Sequence, residues 1–422
     1  MYCGSCARDN ALARELLARG HDVTLIPVYT PTRTDEPNVS QSRVLFGGIS
    51  VYLQQYVGLF RKTPRLLDRV WDAPKVINTF AGRMVSNDPK MLGELTISML
   101  QGEAGVLRRE FEKLLEWIHA EPLPEVINLP NSLLIALAQP LRRDVKRPVV
   151  CTLQGEELYI DGLLEPYRSK TLELIRSQIE NIDRFIAVSE YCARFMSEYL
   201  GIPEGKMSVV PLGVNMQGYD RRAAPDRDNE FRIGYFARIA PEKGLHLLAE
   251  AYARFRRRSD ASKVRLEAAG YASPAHVAYL DDVKQTLKRA GFDNEFTYHG
   301  VVDREGKLAF LRSLDLLSVP ATYDEPKGMF LLEAMGCGVP VVQPRRGAFT
   351  EIVEKTSGGL LVTPDNPDAL ADAFHHLWQN RDTVAVLGES GFRNVRHHYG
   401  IEGSATRLLQ VYESVLSSAS LH

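Results

Sequence analysis

Along most of the chain, short apolar runs rich in β-branched residues alternate with longer segments whose apolar positions recur every three or four residues. The first kind predicts buried strands and the second amphipathic helices. Residues 5–18 form the first expected helix, with Leu12, Leu16 and Leu17 on one face and Gly20 as its stop. Strands are expected at 22–29, 125–129, 148–153, 185–188 and 208–212. A hairpin is expected from 44–46 and 49–53, because Gly47-Gly48 supplies the positive φ angles of a two-residue turn. Helices are expected at 132–139, stopped by Pro140, and at 191–200. Residues 215–230 are poor in apolar positions and rich in charge, which marks a linker. Past them the rhythm restarts, with strands at 231–236, 264–268, 296–300, 316–319, 339–343 and 359–362 and helices between and after them, including 369–378 and 383–396.

Such alternation predicts parallel sheets covered on both faces. The expected fold is therefore α/β: two doubly wound domains facing each other across a cleft, with ligands beyond the carboxyl ends of the strands. The length of 422 residues agrees, at roughly 100–200 residues per domain. A net charge of −2 argues against a nucleic-acid partner, which calls for a basic excess. No apolar run reaches the ~18 residues of a membrane span, and the opening MYCGSCARDN lacks a signal-peptide layout, so the expected location is cytoplasmic. Five scattered cysteines make no disulfide framework, and no His/Cys spacing matches a metal site.

Two segments carry candidate chemistry. In G-Y-F-A-R-I-A-P-E-K-G-L, from Gly234, Arg238 and Lys243 fall on a strand-to-helix turn. Free N–H groups and partial positive charge at a helix start favour a phosphate, and two cations there could hold a diphosphate. Two solvated surface cations are the plainer alternative. In Y-D-E-P-K-G-M-F-L-L-E-A-M-G-C-G-V-P, from Tyr323, Glu325 follows a strand, Gly328 permits close backbone approach, and Met329 opens a short helix. Glu333 lies between Leu332 and Ala334 in that apolar helix and needs a partner. A ribose diol and a nearby basic side chain both fit.

Together, R-x4-K and E-x7-E resemble the retaining glycosyltransferases of the GT-B fold, family 4 (group 1). Gly338-Val339-Pro340-Val341-Val342, Gly347 with Glu351-Ile352, and Gly358-Gly359-Leu360-Leu361-Val362 extend the likeness. Phe185–Ser189 and Val210–Asn215 carry it more loosely into the amino-terminal half. The resemblance implies two Rossmann-like domains: 1–213 for the acceptor, 214–398 for the nucleotide sugar, and a helix over 399–422 crossing back to the first. It implies a hexosyltransferase that uses a nucleoside-diphosphate sugar as donor substrate, with no cofactor and no metal. Arg238 and Lys243 would bind the diphosphate, and Glu325 would contact the donor sugar. Glu333 would hold the ribose, backbone N–H groups at Met329 and Phe330 would cap the phosphates, and Gly4 would match a glycine-rich turn beneath them.

The chain departs from the family where a His commonly follows the strand ending at Leu153: it has Gln154, then Gly155 and Glu156. Gln154 cannot ionise but can hydrogen-bond a sugar. Glu156, Glu157 and Asp161 are weaker contacts for a polyol acceptor, as are Asn128 and Asn131 at a strand end. The acceptor is expected to be a carbohydrate, a small polyol or a lipid-linked glycan. Residues 59–84 mix basic with large apolar side chains. They could make a weak peripheral contact with the inner face of the membrane, although an ordinary amphipathic helix has the same composition. Because a doubly wound domain opens on a strand and Gly4 belongs to the turn after it, the native chain is expected to begin about ten residues upstream. Rival readings are a phosphorylase or nucleotide-sugar epimerase on the same fold, a non-catalytic sugar-nucleotide binder, and a redox protein using Cys3-x-x-Cys6.

Overall fold

In the N-terminal half of the chain four parallel strands lie in sequence order, β1 (Ile127–Leu129), β2 (Val149–Leu153), β3 (Arg184–Ala187) and β4 (Met207–Val209). The computed structural model describes residues 4–29, 31–32, 34–42, 44–46, 89–221, 230–258 and 263–419. Every residue of β2 is buried, as expected for a strand covered on both faces. Helix α1 (Gly4–Ala18) buries Ala11, Leu12, Ala13 and Leu16. Leu17, expected on the same face, is exposed, because one residue turns about 100° from Leu16.

Two further expectations in this half are corrected. Residues 22–29 form no strand: Leu25 and Val28 each make a single parallel bridge, to Ser40 and Leu45. Pro27 lies between them and has no N–H to give a ladder. Pro140 does not stop the helix expected at 132–139. A tight 3-10 segment (Ser132–Leu137) passes through one turn (Ala138–Pro140) into a wider π turn (Leu141–Val145). The change of winding at the proline lets the helical path pass a residue without a donor. The hairpin's Gly47-Gly48 and second strand, residues 59–84 and Cys3 lie outside the described residues.

The C-terminal half holds a six-stranded parallel sheet of β5 (Phe231–Phe236), β6 (Val264–Ala269), β7 (Phe296–Tyr298), β8 (Leu316–Leu317), β9 (Val341–Pro344) and β10 (Gly359–Val362). Its order is β10-β9-β8-β5-β6-β7. The chain builds outward from β5 through β6 to β7, then returns to β5's other side for β8, β9 and β10. The order reverses between β5 and β8, which pair at Ile233↔Leu316 and Gly234↔Leu317. β9 starts later than expected because Pro340 has no N–H; its carbonyl accepts from Leu317 N at 2.9 Å. Phe231, Ile233 and Tyr235 of β5, with Leu266, Ala268, Leu316, Leu317, Val341 and Val342, form the buried centre.

The chain divides into two units, Leu212–Ser404 together with Gly4, and Ser5–Pro211 together with the segment from Ala405 onward. The last helix, Ile401–Ala419, starts in the first and continues in the second. The start of the expected linker is part of the C-terminal unit: Val214, just before it, donates its N–H to Tyr399 O at 2.8 Å, and Tyr219 within it is buried. Residues 222–229 lie outside the described residues.

Candidate active site

The loops after β5 and β8 leave the carboxyl edge of the sheet side by side, at the point where strand order reverses. Beyond β5, Tyr235 OH donates to Arg238 O at 2.8 Å and fixes the loop's path. One 3-10 turn (Pro241–Lys243) then ends at Gly244, whose φ of +74° is left-handed. A Cβ on Gly244 would stand 1.9 Å from Pro320 O, so glycine is what lets the two loops touch. Thr322 N donates to Glu242 O at 3.0 Å across the same seam. This contact brings together side chains 82 residues apart in sequence.

Lys243 Nζ donates to Tyr323 OH at 2.6 Å and to Glu325 Oε2, and the Tyr323 hydroxyl donates to that same carboxylate oxygen. Nζ lies 4.8 Å from the Tyr323 ring centroid and 5.9 Å from that of Phe330. Lys243 and Glu325 are both buried. Burial by itself pushes the Glu325 carboxyl up, but the Lys243 charge and the hydrogen bonds from Lys243 and Tyr323 reverse this and bring it to about 2. A carboxyl held there is ionised at neutral pH and cannot act as a general acid. Glu325 O also accepts from Ala348 N at 2.8 Å, so its backbone is fixed as well.

Three residues on, Gly328 (φ +66°) caps the helix Met329–Gly336. Met329 and Phe330 are half-buried in its first turn, where helical N–H groups have no intrahelical partner. Leu331, Leu332, Ala334 and Met335 bury the helix against the core and turn Glu333 away from it. Glu333 Oε1 accepts from Lys307 Nζ at 2.7 Å and Tyr219 OH at 3.0 Å. The basic side chain expected as a partner for this carboxylate is Lys307. Arg238 is exposed, and its Nη2 donates to Glu242 Oε1 at 2.9 Å.

In the other unit, Gln154 and Glu156 follow β2 and Asn131 follows β1. Gln154 Nε2 donates to Pro130 O at 3.0 Å and reaches Asp9 Oδ2 at 3.4 Å. Glu156 is buried and accepts from the backbone N–H groups of Ser132 (2.9 Å) and Gln154 (2.8 Å). Its charge is thus satisfied by two turning backbones, not displayed to solvent. Asn131 caps the Ser132–Leu137 segment, accepting from Leu133 N at 3.1 Å. Asn128 Oδ1 accepts from Thr152 at 2.9 Å. Gly4 opens α1, with nothing within 4 Å of where its Cβ would be.

The structure thus brings Lys243 to Glu325 and gives each a third partner, Tyr323, that the motif did not single out; it is two residues from Glu325 but reads as an ordinary loop tyrosine. Lys307 and Tyr219 were equally unmarked, because they reach Glu333 from 26 and 114 residues away. Among the described residues no group of three or more His, Cys, Asp or Glu side chains could hold a metal ion, and no helix is long and apolar enough to cross a membrane.

Residues 98–217 match the family model for Glycosyltransferase Family 4, and residues 218–393 that for Glycosyl transferases group 1. The two matches meet end to end. The chain belongs to the group 1 glycosyltransferases of family 4. It is 25% identical over 286 residues to an uncharacterized glycosyltransferase of Methanocaldococcus jannaschii, covering 65% of this chain and 71% of the relative. It spans 52% to 64% of the length of the curated relatives that follow. Among solved structures, the sucrose-phosphate synthase of Thermosynechococcus elongatus superposes with a TM-score of 0.68 at 20% identity, over 96% of this chain and 92% of that one. Anabaena Alr3699/HepE, solved with UDP-glucose, superposes with a TM-score of 0.64 at 18% identity, over 93% and 100%. The two parallel-sheet α/β units of this group 1 glycosyltransferase are those of the GT-B architecture.

Proposed function

We propose that the protein transfers a sugar from a nucleoside-diphosphate sugar to an acceptor hydroxyl, with retention at the anomeric carbon and without a metal ion. The observation that carries this reading is the convergence of Lys243, Tyr323 and Glu325 where the strand order reverses, at the start of the helix that carries Glu333. The donor diphosphate would lie against the first turn of that helix, with Lys243 as a point charge and Arg238 as a fork. As the bond from the anomeric carbon to the diphosphate breaks, its electron pair passes to the phosphate oxygen, and the two cations stabilise the charge that develops there. The acceptor oxygen would bond to the same face of that carbon, and its proton would pass to the departing phosphate. Glu325, ionised beside Lys243, would orient the donor sugar. Glu333 Oε2, on the side away from Lys307 and Tyr219, would accept from the ribose. Gln154 would contact a carbohydrate, polyol or lipid-linked acceptor, while Glu156 and Asn131 hold the turns after β2 and β1 that position it.

HepE was solved with UDP-glucose, which makes UDP and UDP-glucose the first ligands to test. A ligand present at 100 times its dissociation constant stabilises by about 2.7 kcal/mol, a clear thermal shift. Lys243→Ala should keep the fold and lower the rate by about 10²–10³. A folded Lys243→Ala enzyme with wild-type turnover would sink the assignment. Proton NMR of the product anomer reads retention, and turnover unchanged by EDTA reads metal independence.

A further inference from the structure

Arg8, in the second turn of α1, is 2% exposed, yet only part of its guanidinium is used. Nη1 donates to Asp9 Oδ1 at 2.8 Å, while Nε and Nη2 are closed off from solvent and have no hydrogen-bond partner among the described residues. Nε and Nη2 form one edge of the fork, with their N–H bonds side by side, the edge that takes two oxygens of one oxyanion. Gln154 shows the complementary deficit. Its Nε2 is held by Pro130 O and Asp9, and its buried Oε1 has no partner among the described residues. Asp9 therefore joins a guanidinium with spare donors to an amide with a spare acceptor. Pro130 follows β1 and Gln154 follows β2, so the pair lies at the carboxyl edge of the four-stranded sheet, where parallel sheets receive ligands. The Arg8 and Asp9 charges also act on the half-buried Tyr412 phenol, which accepts from Asn128 of β1 at 2.9 Å. A purely structural residue here would be better served by Met or Leu, which leave no donor unmet.

We propose that Arg8 anchors an oxyanion subsite for the acceptor: Nε and Nη2 bind a phosphate or carboxylate that the acceptor carries, and Gln154 Oε1 accepts from a hydroxyl beside it. The proposal deepens the glycosyltransferase reading and rests on it for the word acceptor. The test titrates the full chain with glycerol 3-phosphate, glycerate and glycerol, with and without saturating UDP, following thermal stability. The two anions should stabilise the wild type whether or not UDP is present, and glycerol should not. Arg8→Met should abolish the response to the anions and keep the response to UDP. Arg8→Lys, which keeps the charge without the fork, should weaken anion binding at least about tenfold and decides the matter where Arg8→Met does not fold. Equal responses to glycerol and its phosphate, an anion response that UDP abolishes, an undiminished response in Arg8→Lys, or no anion response in the wild type would each overturn the subsite. An anion response without any UDP response would instead count against the donor reading and leave the subsite standing.

Discussion

Replacing Glu325 by Gln removes one charge from the Lys243–Tyr323–Glu325 cluster and keeps the side chain's shape. The carboxyl is brought from its ordinary 4.5 to about 2 in the folded protein, which corresponds to on the order of 3 kcal/mol of folding free energy. Because the folded value lies below the unfolded one, the contribution is complete above pH ~4.5, declines as pH falls, and is gone below about 2. By the same relation, about half should remain at pH 3. The assay is urea denaturation of the full-length wild type and Glu325→Gln at pH 7, 5, 4 and 3, followed by tryptophan fluorescence; Trp378 reports from the same unit as Lys243. The wild type should be the more stable at pH 7 by about 3 kcal/mol, with the gap unchanged at pH 5 and roughly halved at pH 3. A gap of the same size at pH 3 as at pH 7 would refute the reasoning, because the carboxylate would not be what titrates. A variant as stable as the wild type at pH 7 would refute it too, since desolvation would then cancel the pairing.

Lys307→Met leaves Glu333 with Tyr219 alone and should raise the donor KM about tenfold, roughly 1.4 kcal/mol, with little change in kcat. A 2′-deoxyribose donor should show no such penalty, and an equal rise for both donors would remove Lys307 from the ribose side of the site. Gly244→Ala places a Cβ against the Pro320 carbonyl at a φ of +74° and should cost about 2 kcal/mol or more in urea denaturation, with weaker UDP binding. Wild-type stability there would mean that the contact between the two loops yields without cost.

The alternation of apolar runs and amphipathic helices was enough to predict parallel α/β sheets, because the two hydrophobic periods differ and a strand covered on both faces has no polar alternation. β5, β10 and the helix from Met329 lie within a residue of expectation. Prolines were harder to interpret from sequence. Pro27 breaks a run that looks like a strand, whereas Pro140 sits inside a helical path it was expected to end, and the difference lies in whether neighbouring backbone can rewind around the missing N–H. Glu333 was legible as a carboxylate in need of a partner, but not as the partner of Lys307 and Tyr219.

What the sequence determined by itself was local chemistry: which residues stand at strand ends, that Gly328 permits close backbone approach, and that R-x4-K with E-x7-E resembles the group 1 glycosyltransferases. Only the tertiary structure decided which of those groups meet. Lys243 and Glu325 are 82 residues apart, and they pair because the strand order reverses between β5 and β8. The half-used guanidinium of Arg8 is likewise invisible in a string of residues, since whether a donor is satisfied depends on what the fold packs around it. Pattern encodes the period of an element and the type of its side chains, whereas burial, pairing and the resulting electrostatics arise from contacts between segments remote in sequence.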